Sequence, residues 1–222
     1  MGNTIGTVGV IDKAVDVLDA LEVRPMALAE LVAATGLPRA TAHRLATALE
    51  GHGFVRRDED GRFMLGARLL SLGNAAADTW PLATAAIEPL AALRDATGES
   101  VQLFVRDGEE RVCIAALQSP HGLRTIVPLG ARLPLAAGSA ARVLTSSMTG
   151  PPGWIESVGE REAGVASVSA PVQDRTGRVV AAVSVSGPIE RTSRTPGRRY
   201  GASVVGAARA IETVAGLRDG GT

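Results

Sequence analysis

The chain has 222 residues, of which 45% are hydrophobic, which is enough for one large domain or two small ones with real cores. Its 23 basic and 23 acidic side chains cancel, so any affinity for DNA has to come from a local patch rather than a global field. An aromatic content of 3% argues against a protein that stacks single-stranded or RNA bases. The single cysteine, Cys113, excludes an internal disulfide and a cysteine-built metal site.

The first ten residues lack the basic start and apolar stretch of a secretion signal, and no apolar run reaches membrane-spanning length. We therefore expect a cytoplasmic protein with no membrane contact. Ile11–Glu22 then repeats apolar residues at helical spacing with acidic residues opposite, which predicts an amphipathic helix. Its predicted buried face consists of Ile11, Ala14, Val15, Leu18 and Leu21.

Two short helices separated by a glycine follow. Within Ala27–Thr35 the apolar residues recur at i, i+3 and i+4, which gives one buried stripe. Gly36 supplies the backbone freedom to leave this helix, and Pro38 suits the first turn of the next one. The stripe consists of Leu28, Leu31 and Val32.

The second of these helices, from Pro38 to about Gly51, has one apolar face and one face that is small and basic. Such a face suits the major groove, where Arg44 is expected to bond guanine and Ala40 or Thr47 to touch a thymine methyl group. The apolar face consists of Ala42, Leu45, Ala46 and Leu49. The predicted DNA contacts on this helix are Arg39, Ala40, Thr41, His43, Arg44 and Thr47, with Thr41 and His43 on phosphates.

A hairpin comes next, because the β-prone runs Phe54–Arg57 and Arg62–Leu65 flank an Asp-Gly turn. It places Arg56, Arg57 and Arg62 near its tip, where arginines meet phosphates or enter a minor groove. The order of helix, glycine turn, helix and hairpin is typical of a winged helix-turn-helix. The alternative is two ordinary helices and a hairpin with a solvated polar face, and His43 is equally compatible with a plain surface position.

The stretch Ile11–Leu18, the two helices and Met64–Gly66 resemble the DNA-binding domain of the isocitrate-lyase-regulator (IclR) family of bacterial transcription regulators. The resemblance continues downstream over almost the whole chain. It implies a repressor that binds double-stranded operator DNA as a homodimer or tetramer and responds to a small-molecule effector. It is greatest to actinobacterial members linked to amino-acid metabolism, leucine biosynthesis among them, and a single lysine, Lys13, beside many arginines fits a genome of high G+C content.

The resemblance implies that Ala67–Thr79 is a linker helix that packs against a partner subunit, and a core helix is the alternative. Leu82–Thr97 reads as a helix that is kinked or restarted near Pro89. Three strands are then predicted, at Glu99–Arg106, Arg111–Leu117 and Arg124–Val127.

Gly130–Ser147 resembles the family's loop and helix at the effector pocket, with Gly138 and Ser139 at the helix start. The remaining predicted elements are a hairpin of Val165–Gln173 and Arg178–Gly187, a closing helix at Pro196–Leu217 and a frayed tail at Asp219–Thr222. This order is that of a GAF-like sensor domain, so the predicted class is α+β. The predicted domains are residues 1–66 for DNA binding, 67–80 for the linker helix, and 81–222 for effector binding and oligomerisation.

One departure from the family pattern concerns the connection after Ser147. The family has a longer, partly helical segment there, whereas this chain has only Met148–Gly153. Either the deletion is real or residues are absent from the sequence. A real deletion leaves the pocket less covered and weakens the transfer of family contacts.

The second predicted domain carries paired hydroxyl groups. Ser167 and Ser169 share one face of their strand, and Ser184 and Ser186 share one face of theirs, because side chains alternate along a strand. Gly138 and Ser139 offer backbone N–H groups for a carboxylate. The resemblance implies effector contacts at Gly138, Ser139, Ser167, Ser184 and Ser186. The alternative is that these serines face solvent or are merely small enough to pack.

Catalysis is not expected, because no nucleophile and base can be paired. The three histidines are His43, His52 and His121, and they assemble neither a Ser-His-Asp set nor a metal site, so no cofactor is predicted. Cys113 is interpreted as a small buried hydrophobe, while Gln102 and Phe104 fit the pocket, the core or the surface. Two rivals to a ligand-responsive regulator remain: a regulator with a vestigial pocket whose second domain only oligomerises, and an enzyme with an accessory DNA-binding domain.

Overall fold

A computed structural model describes residues 9–78, 80–146 and 152–218 of the chain. The chain divides into two compact units, residues 1–76 and 77–222. Helices and antiparallel strands occur in both units, so the predicted α+β class is confirmed. Within the described ranges, no helix is both long and apolar enough to cross a bilayer.

The first unit is a three-helix domain with a hairpin. Its elements are α1 (Gly9–Val23), α2 (Leu28–Thr35), α3 (Arg39–Gly51), β1 (Val55–Arg57), β2 (Phe63–Leu65) and α4 (Ala67–Asp78), the last of which runs across the division between the units. Met26 and Phe63 exchange both backbone hydrogen bonds, at 2.9 and 2.8 Å, and so attach the hairpin to the chain between α1 and α2. The buried core consists of Val17, Leu21, Met26, Leu31, Leu37, Ala42, Ala46, Val55 and Phe63.

α1 differs from its predicted packing, and α4 differs only from the alternative considered for it. The buried stripe of α1 is centred on Val17 and Leu21, while Ile11 and Val15 of the predicted face are 58% and 46% exposed. The physical reason is that only the stripe through Val17 meets α2 and α3, and Ile11 and Val15 lie beside it. None of the described side chains of α4 is buried, which is contrary to the core-helix alternative.

The second unit is built on a six-stranded antiparallel sheet with the order β5-β4-β3-β8-β7-β6. Its strands are β3 (Ser100–Asp107), β4 (Glu110–Leu117), β5 (Arg132–Pro134), β6 (Ile155–Val158), β7 (Val165–Gln173) and β8 (Val179–Pro188). Its helices are α5 (Pro81–Thr97), α6 (Ser139–Thr145), α7 (Ile189–Thr192) and α8 (Pro196–Val214).

The two faces of this sheet differ in chemistry because side chains alternate along each strand. The valines of β8, such as Val183 and Val185, pack under α5 and α8 in the main apolar core. The intervening Ser184 and Ser186 point to the opposite face, as does Ala182, which packs with residues of α6. The sheet therefore carries its polar residues on the α6 side.

Two predicted elements of this unit are corrected. Residues 124–127 form no strand, and the Thr125 carbonyl accepts a hydrogen bond from the Ser100 hydroxyl at 2.6 Å instead of from a neighbouring strand. The strand that pairs with the free edge of β4 is instead Arg132–Pro134. α5 is one helix through Pro89 rather than a restarted pair. The predicted tail at 219–222, and residues 148–151 of the shortened connection, lie outside the described residues.

Candidate nucleic-acid interface and ligand pocket

α3 is positioned as the exposed second helix of a helix-turn-helix. Gly36 ends α2 with a left-handed φ of 66°, and the buried Leu37 anchors the turn before α3 begins. Ala42 and Ala46 are fully buried, and the opposite face of the helix is exposed. That exposed face contains Arg39, Ala40, His43, Arg44 and Thr47, while Thr41 is half-buried at its flank.

The arginines of this surface fall into two groups. Within the described ranges, Arg39, Arg44 and Arg56 have no hydrogen bond or ion pair from their side chains. Arg57 instead donates from Nε to Glu50 at 3.2 Å and lies 4.3 Å from the centre of the Phe63 ring. This leaves α3 and the hairpin with three guanidinium groups that no acidic side chain of the described chain compensates.

Arg62 is held by the helix beside the hairpin. Its Nη1 donates to Glu30 at 3.1 Å, and the same carboxylate accepts the Ala27 N–H and the Arg24 guanidinium, both at 2.8 Å. These bonds to Ala27 and Arg24 lower the pKa of Glu30 below its ordinary value. Arg57 and Arg62 are thus engaged in ion pairs within the chain, which the sequence analysis did not anticipate. Exposed ion pairs of this kind are weak, so a phosphate is able to compete for these two arginines.

The predicted serines meet in the second unit, on the α6 face of the sheet. The register of β7 and β8 pairs Ser167 with Ser186 and Ser169 with Ser184. The Ser139 hydroxyl at the start of α6 lies 2.7 Å from both Ser167 and Ser169, and Ser169 donates to Ser184 at 3.0 Å. Four hydroxyl groups therefore form one continuous hydrogen-bonded chain.

A cavity opens beside these serines, and all five predicted effector residues line it. Its volume is about 40 Å³, which admits a few water molecules and is well below the roughly 300–1,000 Å³ of ordinary ligand sites. A metabolite would therefore need side chains at the mouth to move. The lining consists of Gln102, Phe104, Arg111, Val127, Leu133, Gly138, Ser139, Ala140, Ser157, Arg161, Glu162, Val165, Ser167, Ser184 and Ser186.

The backbone at the start of α6 is partly engaged within the chain. Gly138 has a φ of 100°, a conformation open to glycine, and its N–H donates to Glu160 at 3.3 Å. Glu160 also accepts a hydrogen bond from Arg142 at 3.0 Å. The Glu160 carboxylate thus accepts a hydrogen bond from one of the two backbone N–H groups, those of Gly138 and Ser139, that the sequence assigned to a bound carboxylate.

Sequence reasoning missed the charged residues of the cavity. Arg111 lies on β4 and is only 3% exposed, while Arg161 and Glu162 form an ion pair of 3.2 Å at the cavity wall. Desolvation, with a smaller effect of Arg161, lowers the pKa of Arg111 to about 10, so it is positively charged at neutral pH. The signal in the sequence was its spacing from buried Cys113, because residues two positions apart share one face of a strand.

The remaining titratable groups offer no metal chemistry. In the ranges that the structure describes, no three His, Cys, Asp or Glu residues stand close enough to hold a metal ion. Cys113 is buried, and burial raises the pKa of its thiol to about 12. The cysteine is therefore a buried, protonated side chain, as predicted.

An exposed basic helix face beside a hairpin is typical of a DNA-binding regulator, and the second unit carries a polar cavity. Residues 10–59 match the model of the IclR helix-turn-helix domain, and residues 74–151 and 149–213 match that of the bacterial transcriptional regulator IclR C-terminal domain. The chain therefore belongs to the IclR family of transcription regulators.

Named relatives are regulators rather than enzymes. KipR of Bacillus subtilis is 35% identical over 121 residues, which are 54% of this chain and about half, 48%, of KipR. The glycerol operon regulatory protein of Streptomyces griseus is 28% identical over 201 residues, or 76% of this chain and 79% of that protein. The transcriptional repressor IclR of Escherichia coli is 26% identical over 223 residues, or 84% and 81% of the two chains. The expectation that this chain is not an enzyme is thereby confirmed.

The fold also agrees with that of a solved structure. An IclR homologue from Microbacterium hydrocarbonoxydans, complexed with 4-hydroxybenzoate, has a TM-score of 0.79 over 95% of this chain and 100% of that one, at 22% identity. The C-terminal family model is matched in two pieces that meet at residues 149–151, which fits the predicted shortening there.

Proposed function

We propose that the chain is a repressor that binds a nearly palindromic operator and releases it when a small carboxylate occupies the second unit. The observation that carries the proposal is the outer face of α3, where Arg39 and Arg44 have no acidic partner within the described ranges beside the small residues Ala40 and Thr47. The major groove of DNA is wide enough to admit an α-helix, and basic side chains without acidic partners remain available to bind the DNA there.

Each residue of this surface has a proposed role. Arg44 reads guanine, while Ala40 and Thr47 touch thymine methyl groups. Arg39, Thr41 and His43 hold phosphates, and the hairpin arginines Arg56, Arg57 and Arg62 contact the backbone or the adjacent minor groove. Arg57 and Arg62 exchange their carboxylate partners for phosphate on binding.

The protein is proposed to act as a homodimer or tetramer, because an operator with two half-sites is bound by two DNA-binding domains. Apolar side chains exposed on α1 and α4 support this part of the proposal: Val10, Ile11, Leu70 and Leu72 are between 47% and 73% exposed. The residues proposed for oligomerisation are thus apolar and accessible in the single chain. Sedimentation of the full chain at micromolar concentration tests the stoichiometry.

The effector is proposed to bind in the serine-lined cavity, through Gly138, Ser139, Ser167, Ser184 and Ser186. Support comes from the solved homologue that carries 4-hydroxybenzoate, itself a carboxylate. A link to amino-acid metabolism is proposed from the resemblance to actinobacterial regulators of leucine biosynthesis. The alternative is a regulator whose cavity is vestigial, which the small volume of about 40 Å³ favours.

Operator binding is tested by fluorescence anisotropy with the DNA upstream of the chain's own gene and a shuffled duplex, at two salt concentrations. We expect Arg44→Ala to lose about 5- to 150-fold in affinity for the operator only, because a base contact discriminates by roughly 1–3 kcal/mol. Arg56→Ala should weaken both duplexes equally and reduce the salt slope by about one.

Arg209→Ala is the charge-matched control, since Arg209 is exposed on α8 of the other unit. It should leave both affinities unchanged. Equal binding of the two duplexes by the wild type, abolished by salt, would mean phosphate attraction alone and would refute a sequence-reading regulator. Tm measured with amino acids, keto acids and related carboxylates then separates a working pocket from a vestigial one.

A further inference from the structure

The guanidinium group of Arg111 is buried, and part of its hydrogen-bonding capacity has no partner among the described residues. Its Nη1 donates to the carbonyl groups of Pro134 and Ala137, the latter at 3.0 Å. Its Nε is buried and has no hydrogen-bond partner among the described residues. Its Nη2 lies 3.4 Å from where a Cβ on Gly138 would stand, at the wall of the cavity.

The unpartnered atoms are those that matter for recognition. Nε and Nη2 form the side edge of the guanidinium, and their two parallel N–H bonds match the two oxygens of a carboxylate. The backbone carbonyls engage the other end of the group and so fix the direction of this edge. The arginine is thereby oriented before any ligand arrives.

The charge balance of the cavity also favours an anion. Burying a guanidinium without a carboxylate is costly, and the contacts of Arg111 are neutral carbonyl groups and the Phe104 ring, whose centre is 5.5 Å away. Arg161 adds a second positive charge close enough to affect Arg111. The acidic Glu162 at the wall pairs with Arg161 rather than with Arg111.

We infer that Arg111 is the specificity-determining residue of the cavity and that its Nε–Nη2 edge binds the carboxylate of a small effector. The inference rests on the proposed function of the cavity and names the residue that sets its ligand class. The carboxylate lies against Arg111, and the rest of the effector faces the hydroxyl groups of Ser184 and Ser186. Because the present volume is about 40 Å³, side chains at the mouth of the cavity have to move when the effector enters.

The test compares acids with their amides, which match them in shape but carry no charge. The pairs are acetate with acetamide, pyruvate with pyruvamide, and 4-methyl-2-oxopentanoate with its amide, at constant ionic strength. Tm of the full-length wild type is measured beside Arg111→Met, Arg111→Lys and the control Arg106→Met. Arg106 is an exposed arginine of the same hairpin, paired with Glu109 and absent from the cavity wall.

At least one acid should raise the wild-type Tm while its amide does not, and Arg106→Met should respond like the wild type. Arg111→Met should lose the response, and Arg111→Lys, which keeps the charge but not the fork, should bind at least tenfold more weakly. Circular dichroism and operator affinity verify that the variants fold, and Arg111→Lys tests the inference even where Arg111→Met unfolds.

Three results would overturn the inference: an equal response of Arg111→Met and the wild type, equal effects of acid and amide, or no acid that raises the wild-type Tm. Operator binding by the wild type distinguishes this failure from that of the proposed function. If the wild type selects its operator but fails the acid test, the operator-binding part of the proposed function stands, while the role of Arg111 and the carboxylate effector are wrong. If it selects no operator, the proposed function is wrong.

Discussion

Two glycines of α8 are expected to respond in opposite ways to alanine substitution. The Trp154 ring lies across the helix at Gly197 and Gly201, and a Cβ on Gly201 would stand 2.4 Å from the ring nitrogen Nε1. A Cβ on Gly206, five residues further along the same helix, would meet no atom within 4 Å. The first substitution therefore has to displace an indole ring, and the second enters open space.

The magnitude follows from comparing the two variants. Both gain helix propensity of about 1 kcal/mol, so that contribution cancels in their difference. At Gly201 the ring has to move by about 1 Å to restore ordinary contact, and overpacking of this kind costs about 1–3 kcal/mol. Gly201→Ala should thus be less stable than Gly206→Ala by about 1–3 kcal/mol, while Gly206→Ala should equal or exceed the wild type.

Urea unfolding followed by circular dichroism measures both variants in the wild type and in a Trp154→Ala background. Without the indole ring the difference between the two alanines should fall to a few tenths of a kcal/mol. Equal stability of the two variants in the wild type, or a difference that persists in Trp154→Ala, would refute the steric argument.

Arg191→Met removes the bidentate partner of the buried Glu99 carboxylate, whose bonds are 2.5 and 2.7 Å, and should lower the free energy of unfolding by about 3 kcal/mol in urea. Adding Glu99→Gln to this variant removes the unpaired buried charge and should recover part of the lost stability. No recovery would show that the loss does not come from that charge. A hydrogen bond from Thr176 lowers the pKa of Asp174 from 3.8 to about 2, so this carboxylate stabilises the fold above pH 3.8 and the effect is lost as pH falls through 2. The stability difference between wild type and Asp174→Asn should therefore shrink only below about pH 4, and a constant difference down to pH 2 would disprove it. Since burial raises the pKa of Cys113 to about 12, a disulfide reagent at pH 8 should label the folded chain slowly and the unfolded chain at once. Rapid labelling of the folded chain would show that Cys113 is not a buried, protonated thiol.

Elements with local signals were predictable from the sequence. β7 and β8 agree with their predicted ranges to within one residue, because Asp174 builds the turn between them by accepting the N–H groups of Thr176 and Arg178. Gly36 likewise marks the end of α2 through its left-handed conformation. In these cases the residues that determine the structure lie within four positions of one another.

Features that depend on distant residues were not predictable. Arg62 meets Glu30 across 32 positions of sequence, so its ion pair has no local signature. The Thr125 carbonyl likewise bonds to Ser100, 25 positions away, rather than to a neighbouring strand. Arg111 was missed because arginine is usually solvated, so its alternation with Cys113 was a weak signal until the fold of the sheet showed which face is covered.

The chain of serine hydroxyls has a consequence for what the cavity recognises. The Ser139 oxygen lies within hydrogen-bond distance of both Ser167 and Ser169, and each hydroxyl has one hydrogen to donate. Because Ser169 donates to Ser184, Ser139 has to donate to Ser169, and Ser167 to Ser139. The chain of hydroxyls therefore runs in one direction, which leaves the Ser184 hydrogen for an acceptor on a ligand and the Ser167 oxygen for a donor.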